Sequence, residues 1–164
     1  MELLFGLFGG FVFGGFVILA LLYVLSSLAF VKVFRKLGYQ SPGLGWVPIL
    51  NIFILATIVT TGVSKVKVLG AFELDVNIYR FLWVLPLAVS LLFGGWGTTI
   101  SYIFAAIYYG DMYSRVYASF DNTDVEDQTV LGAVSGIISI IFVVKALAAD
   151  NNLVQLRFRH DDVR

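Results

Sequence analysis

Four stretches of this chain are too apolar and too long for the ordinary core elements of a water-soluble domain. Leu3–Val31 carries no charged side chain, and further apolar runs cover Leu44–Val63, Phe81–Gly110 and Val130–Val144. A helix rises 1.5 Å per residue, so about 20 apolar residues cross the roughly 30 Å hydrocarbon core of a bilayer. With 59% hydrophobic and 13% charged residues, little sequence is left for anything but membrane span. The expected fold is all-α: a polytopic integral membrane protein of four transmembrane helices, with five as the alternative. Residues 1–149 form the transmembrane domain, with spans at about 3–31, 45–63, 81–110 and 130–149, and residues 150–164 form a polar tail.

Composition closes several functional classes. The formal net charge is zero, which gives no basic field for nucleic acid. Without cysteine there is no disulfide, thiolate metal site or iron–sulfur cluster, and one histidine, His160, cannot build a multi-histidine metal centre. No cofactor is expected. The start, Met1-Glu2-Leu3-Leu4, lacks the basic flank of a signal peptide, so the first run reads as a retained helix.

The first run ends in Lys32, Arg35 and Lys36, whereas its other flank offers only Glu2. The positive-inside rule then puts the N-terminus outside and the basic cluster in the cytoplasm. At about 43 Å, a helix over 3–31 must tilt or lie partly in the interface. Leu37–Gly43 reads as a tight turn, with Trp46 at the entry of the second span and Pro48 in its first turn. Between Ser64 and Arg80 the pattern alternates with period two, broken at Leu69-Gly70-Ala71, which predicts a small extramembrane β-hairpin. The partly alternating tail, Leu153–Arg159, is offered as its third strand.

The third run reads as one long helix kinked at Gly94-Gly95-Trp96-Gly97; dividing it there gives the five-span alternative. Neither count places every basic residue on one side. The acidic run Asp121–Asp127 lacks the glycine and ligand spacing of a calcium loop. Thr123 and Glu126 fit a capping box opening the last helix.

Small residues mark candidate association faces. Gly6, Gly10 and Gly14 recur every four residues, and Gly132 and Gly136 repeat that spacing. Such stripes let helix backbones approach closely, between molecules or within one. The N-terminal stripe points to self-association or a complex, the later one to internal packing. Asn51 is an amide at membrane depth and reads as a bridge between helices rather than a ligand contact. Asp111 and Arg115, four apart, can pair on one helix face; the sequence places them as a structural pair at the membrane edge, and burial would suggest an ion path. A serine–lysine dyad needs its amine beside the hydroxyl. Ser139 and Lys145 lie on different faces of one helix, so enzymatic activity is not expected.

Lys32-Val33-Phe34-Arg35-Lys36-Leu37-Gly38 followed by Gly45-Trp46-Val47-Pro48-Ile49-Leu50-Asn51, with Trp83 and Pro86 downstream, resembles an uncharacterised family of small bacterial multi-span membrane proteins, some labelled signal-peptidase-like. The likeness covers the first two-thirds of the chain. It implies a multi-span helical fold in a bacterial cell membrane and no established activity. The chain departs from the pattern in the longer connection at 64–80, the Gly94–Gly97 insertion and the tail after Ala149. Function is therefore expected to be that of a non-catalytic membrane module that self-associates or joins a complex. A small channel or transporter is the alternative, and a membrane peptidase the third.

Overall fold

The computed structural model describes the backbone of residues 2–164 and the side-chain surroundings of residues 10–164. The chain is mostly helical, with one two-stranded sheet. Helix α1 spans Glu2–Lys36, and Arg35 and Lys36 in its last turn complement the helix dipole. Gly38, at φ 74°, closes it: its N–H donates to Arg35 O and that of Tyr39 to Phe34 O, the paired bonds that end many helices. A 3-10 turn, Pro42–Trp46, then folds back along α1, and α2 spans Leu50–Val59. Gly45 is needed at this contact, because a Cβ would fall 2.6 Å from Val31 N.

Strands β1 (Lys65–Val68) and β2 (Phe72–Asp75) pair antiparallel, with Lys65 opposite Asp75 and Val68 opposite Phe72. Three residues, Leu69-Gly70-Ala71, join the strands: Leu69 and Gly70 both take positive φ, and Ala71 N–H donates to Val68 O at 2.9 Å to close the turn. The hairpin was legible in the alternation; its third partner was not. Val163, rather than 153–159, bridges to Lys65, and Ser64 N–H donates to Val163 O at 2.6 Å. Helix α3 (Val76–Phe81) is capped by Asp75, which accepts from Asn77 N–H.

Two helices are long and apolar enough to cross a membrane: Gly10–Lys36, and α4, Val84–Asp121. Within α4, Gly94 sits at φ 59°, ψ −137°, a conformation almost confined to glycine. The break is more than the expected kink. A Cβ on Gly97 would fall 2.6 Å from Val89 O, and Leu85 shares a cavity wall with Phe104 and Ile107. In a straight helix Leu85 and Phe104 would stand about 28 Å apart. Residues 84–93 therefore fold back against 95–121.

The two runs expected as further spans are not single long helices among the described residues. The run placed at 45–63 begins with Asn51 beside Tyr109 and Tyr113 and ends with Thr60 bonded to Arg80, next to Tyr79, which reaches Asp111. Helix α2 packs against both α3 and α4. Pro48, which has no N–H, and Ile49 at φ 69° prevent one continuous helix. The run placed at 130–149 is two nine-residue helices, α5 (Thr129–Ile137) and α6 (Ile140–Ala148). Helix α5 runs antiparallel to α4, with Gly132 against Ser114 and Gly136 against Ala106. Helix α6 returns parallel to it, with Phe142 stacked on Tyr113 and Lys145 bonded to Asp121. Asp121 holds both ends of the excursion, since it also accepts from Gln128 Nε2. Extended geometry at Ile138 (φ −118°, ψ 79°) makes the break between them.

The capping-box reading is corrected as well. Helix α5 starts at Thr129, and Asp121–Asp127 form the turn joining it to α4, which Asn122 ends in the left-handed conformation. The core is aromatic: the Tyr113 and Phe142 rings stack at 4.0 Å, and Phe34, Tyr79, Tyr108 and Tyr117 are buried nearby.

Candidate functional site

Asp111 and Arg115 project one turn apart from α4, as their spacing requires, and both are completely buried. Arg115 Nε donates to Asp111 Oδ2 at 2.8 Å. Its Nη1 donates to Asp162 Oδ2, and its Nη2 lies 3.3 Å from both Lys67 O and Asp162 Oδ1. Asp111 also accepts from the Tyr79 hydroxyl at 2.9 Å and from Leu69 N–H at 2.7 Å. Arg159, buried too, reaches Asp111 at 3.6 Å and donates to Thr129 Oγ1 at 3.2 Å. Asp162 additionally accepts from Lys67 N–H at 3.0 Å and Arg159 N–H at 3.1 Å.

Two carboxylates and two guanidiniums thus form a neutral cluster that joins α4, the hairpin turn and the tail. Its geometry is a clasp. Both oxygens of each carboxylate accept from protein donors, so no lone carboxylate is left to bind or relay an ion. The sequence expected Asp111 and Arg115 as a structural pair; they pair wholly buried, in the polar head that the hairpin, the tail and the end of α4 form. Arg159 and Asp162 were missed as members of the site. Their only sequence signal was charge within a tail that otherwise alternates.

Asn51 Nδ2 donates to Gly45 O at 3.3 Å, a local bond that ties α2 to the turn before it rather than to another long helix. It is not brought to the charged cluster. Gly132 and Gly136 are spent inside the molecule. A Cβ at Gly132 would overlap Ser114 Oγ, and one at Gly136 would lie 2.7 Å from Gly110 N. Gly10 and Gly14, by contrast, have nothing within 4 Å of a Cβ position, on a stretch of α1 where Phe11 is 83% exposed. Gly6 lies outside the residues whose surroundings are described. Lys145 pairs with Asp121 at 2.6 Å, so the serine–lysine combination of Ser139 and Lys145 is not assembled. Among the described residues, no group of acidic, histidine or cysteine side chains is disposed to hold a metal ion. No known protein family, curated protein or solved structure matches the chain.

Proposed function

We propose that this chain is a non-catalytic integral membrane module of a bacterial cell membrane that self-associates through the lipid-facing half of α1. The observation that carries the reading is the contrast along that helix. Residues near its end, Ala29, Phe30, Val33 and Phe34, are buried in the head, whereas Phe11, Phe13, Phe16 and Leu19 stand exposed with Gly10 and Gly14 open between them. An apolar surface of this extent needs lipid or another helix against it. In lipid, close backbone approach supplies contact energy that water-driven burial no longer provides.

The topology that accompanies this reading has the N-terminus outside and every basic residue in the cytoplasm. The basic residues cluster with the hairpin, the tail and the C-terminal ends of α1 and α4: Lys36 pairs with Asp150, Lys67 with Asp161, Lys145 with Asp121, and Arg115 with Asp162. Because the runs at 44–63 and 130–149 return to their starting side, and 81–110 folds at Gly94, the loop at 37–43, the hairpin and the tail share one face. Only α1 crosses without reversal. This arrangement satisfies the positive-inside rule, which neither the four-span nor the five-span layout does. The channel reading draws no support from Asp111 and Arg115, which are consumed in the clasp.

Gly10→Ile tests association. Isoleucine would hold facing backbones apart, forfeiting about 1–3 kcal/mol, as overpacking does. The oligomer fraction in mild detergent should fall, while Val12→Ile leaves it unchanged. A native chain that stays monomeric at all concentrations and in bilayer crosslinking overturns the proposal.

A further inference from the structure

A cavity of about 330 Å³ lies between α1, the Pro48–Asn51 break, α4 and the break between α5 and α6, level with the turn of α4 that carries Asp111 and Arg115. In membrane proteins non-helical backbone is tolerated where it is buried in protein or lines a cavity, and broken helices are a recurrent way of building polar sites. Here two breaks, at Ile49 and at Ile138–Ser139, meet on one cavity. Its polar lining is Tyr23, whose hydroxyl donates to Trp46 O, with Ser26, Ser27, Asn51, Tyr109, Tyr113 and Ser139. No charged side chain faces it.

The hydroxyls of Ser27 and Tyr113 have no protein partner, although Ser27 is only 1% and Tyr113 only 5% exposed. Helical serines commonly donate to the carbonyl four residues back, as Ser101, Ser114, Ser119 and Ser135 do in this chain. Ser27 does not. Asn51 commits its Nδ2 to Gly45 O and keeps its Oδ1 as a free acceptor. Buried donors and acceptors are ordinarily satisfied, so those left open toward a cavity call for a ligand that carries both. Ile49, half exposed, lines the cavity and is its most exposed apolar residue.

We propose that this cavity receives the uncharged, hydroxyl- and ester-bearing headgroup of a neutral glycerolipid of the diacylglycerol type, with its acyl chains passing out beside Ile49. A headgroup with a phosphate would bring a charge into a site without a cation, at a large desolvation cost. A hydrocarbon chain alone would leave the hydroxyls unpartnered. The proposal rests on the membrane reading above, so its test begins by showing that each variant resists carbonate extraction from bilayers. Loss of insertion overturns the membrane reading; a result on inserted protein bears on the cavity alone.

The probes are photoactivatable diacylglycerol and phosphatidylglycerol with matched chains, presented to the full chain in nanodiscs. Diacylglycerol should label segments 23–30, 48–52 and 109–113 saturably, and at least about tenfold above phosphatidylglycerol. Ser27→Ala and Tyr113→Phe, each removing one buried hydrogen bond, should each weaken labelling about five- to tenfold. Tyr113→Phe keeps the ring stacked on Phe142, so it separates loss of the hydroxyl from loss of packing. Ser64→Ala, in the head, should leave labelling intact. Equal labelling by both lipids, labelling outside these segments only, or insensitivity to both hydroxyl deletions overturns the proposal.

Discussion

Asp162→Asn should open the head without unfolding the helices. The carboxylate accepts from Arg115 twice, from Lys67 N–H and from Arg159 N–H. An amide keeps the volume but presents one oxygen and a pair of N–H donors that face the guanidinium. Arg115 then retains Asp111 alone, and the cluster holds two buried positive charges against one negative. Removing one partner of a buried ion pair costs about 3–5 kcal/mol, since the remaining charge is uncompensated. The tail can escape this cost by undocking, which lets water reach Arg115. The equilibrium between docked and released tail should therefore shift by about two to three-and-a-half orders of magnitude. Limited trypsin digestion in micelles reads that shift as faster cleavage after Arg157 and Arg159, with the helical far-ultraviolet signal unchanged. A tail as resistant in Asp162→Asn as in the native chain would refute the clasp. So would equal sensitivity in Lys67→Ala, whose side chain meets only the half-exposed Asp161.

Gly94→Ala should destabilise the folded-back 84–121 segment by about 1–3 kcal/mol, because alanine resists φ 59°, ψ −137°; an unchanged melting temperature in detergent contradicts that geometry. Cysteines placed singly at Ser41 and Ser64 should be labelled by an impermeant maleimide from the same side of sealed vesicles; labelling from opposite sides would restore a crossing by the second apolar run. Burial alone would raise the Glu126 carboxyl, but N–H donation from its own backbone and from His160, together with the Arg159 and His160 charges, holds it below its ordinary value of 4.5. A depressed carboxylate stabilises docking above its unfolded value and loses that contribution as pH falls through the lowered one. Trypsin-independent tail release, followed by hydrogen exchange, should thus increase on acidification below the usual carboxylate range and be blunted in Glu126→Gln.

Much of the architecture is visible in the residues. Charge-free Leu3–Val31 announces a long apolar helix, and the alternation around Leu69-Gly70 announces the hairpin with its turn in place. The i,i+4 spacing of Asp111 and Arg115 announces their contact. Run length, however, carries no sign of direction. An apolar segment that enters and turns back has the same composition as one that crosses, so the reversals at Ile49, Gly94 and Ile138 were read as spans or as a mild kink. Glycine permits Gly94's conformation but does not demand it, and Ile49 and Ile138 hold theirs only because neighbouring helices impose them. Burial of the charge pair was hidden for a related reason. The two residues that neutralise it, Arg159 and Asp162, lie 44 or more positions away, beyond any local pattern.

The distance between those partners sets an order of events during synthesis. Asp162 is joined to the chain 47 residues after Arg115. At about 5–20 residues per second, several seconds pass in which Arg115 has been made and Asp162 has not, leaving Asp111 as its carboxylate partner. During that interval β1, already made, cannot gain its Val163 bridge, and the hairpin turn lacks Asp162 to hold Lys67 N–H. The head is consequently assembled last, after the apolar segments have had time to reach lipid. A chain released before Asp162 would leave Arg115 without two of its acceptor contacts and the hairpin without the carboxylate that holds Lys67 N–H.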